Sequence, residues 1–398
     1  MTDTTGTERG TSLRDRRVAM LRRTGLAKDY GIPLGDPSTA FWFILAIVMS
    51  FVLLGLVMVL SSSSVVNINS GDSAWVYLQR QALWALLGSA AMWGAYKLPY
   101  AAWRQQRLLA ILVATLVGAN TLVFVQGTVV NGARAWLDVG GYQIQPSEFL
   151  KVATVLFCAN FLAGRHRAVQ IPQVVLWPMG VAMAVTAGLC MLQKDFGGAV
   201  IFVGIILAMM WIVGIPLVQL VPTMLVIAVG SALVLTQAGN ASRRMFAFLN
   251  LEGTKEDAGY QVYQAILSIA NGGVTGTGIG SGTSKWGYVP LAHSDFIFSV
   301  IAEELGLLGS LVVIGGFFLL VLFGVQVALR APDKHGALIA GGVSAWFAVQ
   351  AVVNIGGVIG AIPMTGLTLP FLSYGGSSLL ACMTAAGLLL NVARRMKV

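Results

Sequence analysis

Charge is scarce in this sequence. Only 10% of the residues are Asp, Glu, Lys or Arg, against 57% that are hydrophobic. A water-soluble domain carries about 25% charged residues, so that class is excluded and the chain reads as polytopic in a membrane. Cysteine is scarce as well. Cys158, Cys190 and Cys382 sit in apolar stretches, their number is odd, and none has CxxC spacing. A disulfide framework or a cysteine zinc site is thereby set aside. The first apolar run begins at Phe41 and is too long for the core of a signal peptide. A nucleotide-binding loop is missing too: the glycine run Gly272–Gly282 has no strand before it and no Lys-Ser/Thr pair directly after it. Acidic residues number 16 and basic ones 25, a formal charge of +9. In a membrane protein that excess reports orientation and contact with anionic lipid, not nucleic acid.

What the sequence does have is long apolar runs. A spanning helix needs roughly 20 mostly apolar residues. Such runs fall near 41–60, 82–100, 107–125, 147–163, 174–192, 197–214, 217–236, 296–323, 337–360 and 377–393. They predict an all-α polytopic membrane protein, with about ten transmembrane helices in one bundle and long extracytoplasmic loops. The short 192–197 link is the weakest boundary and reads alternatively as a re-entrant turn. Residues 1–40 read as a basic cytoplasmic tail, carrying Arg9, Arg14, Arg16, Arg17, Arg22, Arg23 and Lys28. Residues 41–398 form the transmembrane domain. An even number of spans puts both termini on one side. With the tail inside, 17 of the 25 Lys and Arg residues lie on the cytoplasmic side and 8 on the other, as the positive-inside rule requires.

Two outside segments are long: 126–147 and 237–295. Loops of that length in a compact protein are usually functional. The second holds the glycine run, whose residues permit tight turns or close approach of the backbone to a ligand. A third dense segment runs from Asn354 through Pro363 and Pro370 to Ser373-Tyr374-Gly375-Gly376-Ser377-Ser378. Its prolines and glycines break helix continuity while its hydroxyls re-satisfy freed backbone groups. It therefore reads as a folded polar loop between the last two helices.

Ionisable side chains at the mouth of a membrane helix are costly and persist mainly beside a water-filled cavity or a partner. Asp295, Ser299 and Glu303 are spaced four apart and would share one helix face, with His293 just before them. Asp295 reads either as a helix N-cap or as a general base beside an outside cavity; the two roles are compatible. His293 reads as a hydrogen-bonding partner, since no second His lies nearby. Glu303 and Glu304 are candidate structural anchors, Glu304 above all. Glu148 and Lys151, three apart near the start of the fourth span, meet on a helix. They form either an ion pair packing two helices or, with Lys151, a hold for an anionic group. Arg134, beside Trp136, reads as an interfacial anchor or a ligand for anions. Arg243 and Arg244 read as caps of the seventh helix's outer end or as ligands for anions, and Lys285 as a ligand for anions. Lys194-Asp195 reads as marking a turn. The candidate site set is Asp295 as catalytic residue and Glu148, Lys151, Arg134, Lys285, His293, Ser373 and Arg243 as substrate-binding residues, with no metal ligand.

In combination, these motifs resemble the SEDS family (shape, elongation, division and sporulation). The resemblance runs from about Phe41 to Arg395. It rests on Asn131-Gly132-Ala133-Arg134-Ala135-Trp136-Leu137, Gln145-Pro146-Ser147-Glu148-Phe149-Leu150-Lys151 and Gly259-Tyr260-Gln261. It rests also on His293-Ser294-Asp295-Phe296, Ala302-Glu303-Glu304-Leu305-Gly306 and the segment Pro363 to Ser378. Gly366-Leu367-Thr368-Leu369-Pro370 is similar to the division branch. The resemblance implies a peptidoglycan glycosyltransferase that polymerises lipid II outside the cytoplasmic membrane, with Asp295 as the essential acid and Glu148–Lys151 as a buried pair. It implies a class B penicillin-binding protein as partner, other membrane proteins of the division complex, and enrichment at the septum. The resemblance fixes no cofactor; a divalent cation, Mg or Mn, could share the charge of the leaving pyrophosphate. The chain departs from the family pattern at Leu291, Lys194, Gly198 and Ser294, which leaves Asp295 intact. Two rival readings are a lipid II flippase and a non-catalytic division scaffold. The clustering of ionisable groups at one face and the lack of an evident inverted repeat argue against a transporter.

Overall fold

Ten helices of the computed structural model coincide with the ten apolar runs. The structure describes residues 37–396 except 70, 72, 99, 131, 166–170 and 238; the basic tail falls outside the described residues. In chain order the helices are α1 (Thr39–Asn69), α2 (Val76–Lys97), α3 (Gln106–Gln126), α4 (Pro146–Arg165), α5 (Pro172–Leu192), α6 (Phe196–Ile212) and α7 (Leu217–Gln237). Two shorter helices follow, α8 (Gly239–Leu249) and α9 (Tyr260–Gly272), then α10 (Ile297–Leu329), α11 (Lys334–Val358) and α12 (Gly376–Ala393). Among the described residues, seven of these are long and apolar enough to cross a membrane: α1, α3, α4, α5, α10, α11 and α12. The 192–197 link is a tight turn between two separate helices, with Lys194 in the left-handed region at φ 62°.

The bundle is layered by burial. α4, α11 and α12 are the most enclosed spans, while α3, α5 and α10 turn much of their surface outward. Leu311, Val312 and Phe318 of α10 and Trp177 of α5 are more than half exposed. Such side chains suit a lipid surround, where no hydrophobic penalty attaches to them. Small residues bring α2 and α12 together: Gly88 meets Met383, and Gly387 meets the backbone of Met92.

The all-helical expectation holds for the bundle, but segment 126–147 adds a small antiparallel sheet. Its strands are β1 (Thr128–Val130), β2 (Ala133–Val139) and β3 (Tyr142–Ile144), in the order β1-β2-β3. Val139 pairs with Tyr142 across Gly140 and Gly141. Both glycines have positive φ, 62° and 82°, which a two-residue hairpin turn of this twist requires. The sheet is tied to the bundle by Arg134 N–H, which donates to Gln193 O at 3.1 Å.

α10 is broken. Gly306 takes φ 67°, ψ −164°, outside the helical region, and the segment after α9 fills the break. Leu307 N donates to Gly273 O at 2.9 Å and Leu308 N to Val274 O at 3.2 Å; Thr277 N and Gly278 N donate to Glu303 O and Glu304 O, each at 3.0 Å. The glycine run thus makes its close approach to another helix. Buried backbone groups demand partners, and here two chain segments supply each other's.

The two ends of the bundle differ. At one end the connections 127–145, 193–195, 291–296 and 364–375 converge. At the other, Tyr100 Oη donates to Asp333 Oδ2 at 2.9 Å, Arg104 pairs with the same oxygen at 2.8 Å, and Asp333 caps α11 through Gly336 N. Beside them, buried Asn391 donates through Nδ2 to Ala95 O and Tyr96 O, at 3.0 and 2.7 Å, and to Leu98 O.

Candidate active site

A cavity of about 720 Å³ opens where those connections meet. Asp295 lines it, on the turn that leads into α10. Three successive carbonyls of that turn are held from elsewhere. His293 O accepts from Tyr374 N at 2.9 Å, Ser294 O from Ser373 Oγ at 2.6 Å, and Asp295 O from Asn354 Nδ2 at 2.9 Å. Leu291, at the start of the turn, is left-handed at φ 59°. Among the described residues three non-glycine residues have positive φ, and two of them, Leu291 and Lys194, line this cavity. Backbone strain of this kind concentrates where a fold over-determines a site.

The Asp295 carboxyl is pushed up to about 7 by burial, with Arg244 pulling it down and Asp195 pushing it up. A carboxylate that titrates near neutrality is suited to accept a proton and hold it. His293 is pushed down to about 4 by burial, so it is neutral there. Its ring packs against Tyr77 and Tyr374, at centroid distances of 4.8 and 5.6 Å. Asp195, read from the sequence as part of a turn, also lines the cavity. It caps α6 through Gly198 N at 2.8 Å and accepts from Gln145 Nε2 at 3.2 Å. Burial raises its carboxyl as well.

The other candidates divide. Glu148 and His293 line the cavity with Asp295. Lys151 lies behind Glu148, paired with it at 2.8 Å and bonded to Gln350 Oε1 at 3.2 Å. Ser373 is buried and braces the Asp295 turn instead of facing the cavity. Arg134 is exposed and donates to Phe124 O. Lys285 is buried and donates to Gly280 O. Arg243 is exposed and off the cavity, whereas its neighbour Arg244 lines it, because adjacent helical residues of α8 face different ways. Arg80 and Lys194 join Arg244 as cavity cations. Of the three residues expected on one helix face, Ser299 and Glu303 lie buried on α10 and Asp295 does not lie on that helix. Asp295 precedes the helix, Ser299 Oγ turns back to Phe296 O, and Glu303 is engaged by Thr283, Ser284 and Asn271 of the glycine-rich segment. Glu304 accepts from Ser61 Oγ, a structural anchor as expected. The signal for Arg80 and Lys194 was in the sequence as outside-facing charge, but only the fold shows that they converge.

Residues 41–398 match the family model FtsW/RodA/SpoVE, described as cell cycle protein. The chain belongs to the FtsW/RodA/SpoVE family. It is 36% identical to the "Probable peptidoglycan glycosyltransferase FtsW" of Mycobacterium tuberculosis, over 92% of this chain and 70% of that protein. It is 34% identical to the "Stage V sporulation protein E" of Bacillus subtilis, over 88% of this chain and 96% of that one. A chain of a solved peptidoglycan synthase complex, in which polymerization and crosslinking are coordinated, superposes with TM-score 0.71 and 30% identity, over 90% of this chain and 98% of its own. The rod shape determining protein RodA of Thermus thermophilus superposes with TM-score 0.64 and 28% identity, over 90% of this chain and 97% of its own. The fold is the polytopic helical fold of this family.

Proposed function

We propose that this FtsW/RodA/SpoVE protein is a peptidoglycan glycosyltransferase that polymerises lipid II into glycan strands at the outer face of the cytoplasmic membrane during septal wall synthesis. The observation that carries this reading is Asp295: one largely buried carboxyl, titrating near 7, on a braced turn in a cavity that also holds Arg80, Lys194 and Arg244. The reaction joins a sugar hydroxyl to an anomeric carbon that bears a lipid pyrophosphate. Asp295 takes the proton of the attacking GlcNAc 4-hydroxyl. The hydroxyl oxygen bonds to the anomeric carbon as the bond from that carbon to the pyrophosphate oxygen breaks, inverting the α linkage to β. The departing polyprenyl pyrophosphate carries the negative charge, and Arg244, Arg80 and Lys194 supply fixed positive charge for it.

Among the described residues no three of His, Cys, Asp and Glu are grouped to hold a metal. The partner is a class B penicillin-binding protein, with other division-complex membrane proteins around the pair. Both termini lie in the cytoplasm. The clustering of Asp295, Asp195, Arg80, Lys194 and Arg244 around one cavity supports a polymerase over a flippase. Glycan-chain synthesis by the purified protein and its partner, given lipid II, tests the reading. Asp295→Asn is expected to abolish it, while folding and partner binding persist because Asn keeps the shape of a side chain that, against the N-cap reading, caps no helix: Phe296 holds the N-cap position of α10. Polymerisation by Asp295→Asn at the wild-type rate refutes the assignment.

A further inference from the structure

Two amides on α11 reach the loops that frame Asp295. Gln350 and Asn354 are four residues apart and share one helix face. Buried Gln350 donates through Nε2 to Thr368 O at 2.8 Å, while its Oε1 accepts from Trp346 Nε1 at 2.6 Å and from Lys151 Nζ. Asn354 is 1% exposed. Its Nδ2 donates to Asp295 O at 2.9 Å and to Leu367 O at 2.6 Å. A primary amide has two N–H donors, and this one spends both on carbonyls from loops separated by about seventy residues of chain.

The second carbonyl matters because of its neighbour. Gly366, next to Leu367, forms the wall that the Asp295 carboxylate and the Arg244 guanidinium both approach. A Cβ placed on Gly366 would lie 3.6 Å from Asp295 Oδ2 and 3.5 Å from Arg244 Nη1. A single side chain therefore fixes the backbone of the carboxylate and the backbone it faces. Asn354 is absent from the cavity lining, so it acts through Asp295.

We infer that Asn354 is a positioning residue for Asp295: its amide sets the reach of the carboxylate across Gly366 toward the reacting hydroxyl. The inference rests on Asp295 being the base. Misplacing a catalytic group by about 1 Å can cost about 100-fold in rate, and Asn354→Leu removes both donors while keeping the heavy-atom branching of the side chain.

The structure provides a control. Asn391 is an equally buried asparagine whose amide also spans backbone carbonyls, but at the opposite end of the bundle. Asn354→Leu, Asn391→Leu and Asp295→Asn are compared in the full chain with its partner and lipid II. Melting temperature, kcat, KM and the pH profile are read for each. Asn354→Leu is expected to lose about 100-fold in kcat, to keep KM within about twofold, and to move the acid limb of the pH profile. Asn391→Leu is expected to lose comparable thermal stability with kcat nearly unchanged. If Asn354→Leu and Asn391→Leu lose kcat equally, or Asn354→Leu loses only KM, while Asp295→Asn is inactive, the positioning role is refuted and the base survives. If Asp295→Asn is active, both fall. Should Asn354→Leu fail to fold, Asn354→Ser retains one donor and is expected to give an intermediate kcat; full activity there overturns the inference.

Discussion

Lys151 Nζ lies 2.8 Å from Glu148 Oε1, with both side chains almost wholly buried. Lys151 also sits over the Trp346 ring, 5.2 Å from its centroid. Glu148 Oε2, by contrast, is buried without a hydrogen-bond partner. Removing one member of such a pair strands the other's charge, a penalty of about 3–5 kcal/mol. Glu148→Ala and Lys151→Ala are each expected to lower stability and activity. The double variant should lose clearly less than the sum, as read by chemical denaturation in detergent. Strict additivity contradicts the coupling.

The raised Asp295 carboxyl gives two pH dependences. Activity requires its ionised form, so the rate should be half-maximal near pH 7 and fall about tenfold per pH unit well below it. Stability runs the other way. The folded state holds this proton up to about pH 7, whereas an unfolded Asp releases it near about pH 4. Its protonated form therefore favours folding at low pH, and that contribution fades as pH rises through this window. Relative to wild type, Asp295→Asn should gain melting temperature between pH 4 and 7. A difference that does not vary with pH would count against the burial of this group.

Gly306 allows a sharp test of the broken helix. An added Cβ would meet Val274 O at 2.5 Å, and φ 67°, ψ −164° is a region essentially reserved for glycine. Gly306→Ala is expected to cost about 3 kcal/mol or more, measured by thermal unfolding. Gly315→Ala, in the same helix with nothing within 4 Å of the added atom, should be neutral or gain about 1 kcal/mol.

Orientation is testable by labelling. In a background without Cys158, Cys190 and Cys382, all free and buried, single cysteines are placed at exposed Ser242 and Ala361, on the cavity side, and at exposed Lys334 on the other. An impermeant thiol reagent on intact cells should modify the first two and leave the third until the membrane is opened. The reverse pattern would put Asp295 on the wrong side for lipid II polymerisation.

The helices were legible because a spanning helix writes itself as a long apolar run: all ten runs coincide with helices, of which seven are long and apolar enough to cross a membrane among the described residues. The Glu148–Lys151 pair was legible because three-residue spacing on a helix is contact. The small sheet was less so: β1 and β3 are three residues each, too short for a strand pattern to stand out. The cation set was misjudged for a related reason. Sequence adjacency cannot say which of Arg243 and Arg244 faces inward until the axis of α8 is placed. Glu303 misled because the helix rule was extended back through Asp295, which lies in a turn. Asp195 looked like punctuation because its partner, Gln145, is fifty residues away.

The Tyr100–Asp333–Arg104 cluster fastens the start of α11 to the connection between α2 and α3. Toward the other end of the same helix, Gln350 and Asn354 hold the loops at the cavity rim. One helix is thus pegged near both of its ends, so sliding it along its own axis would break hydrogen bonds at one end or the other.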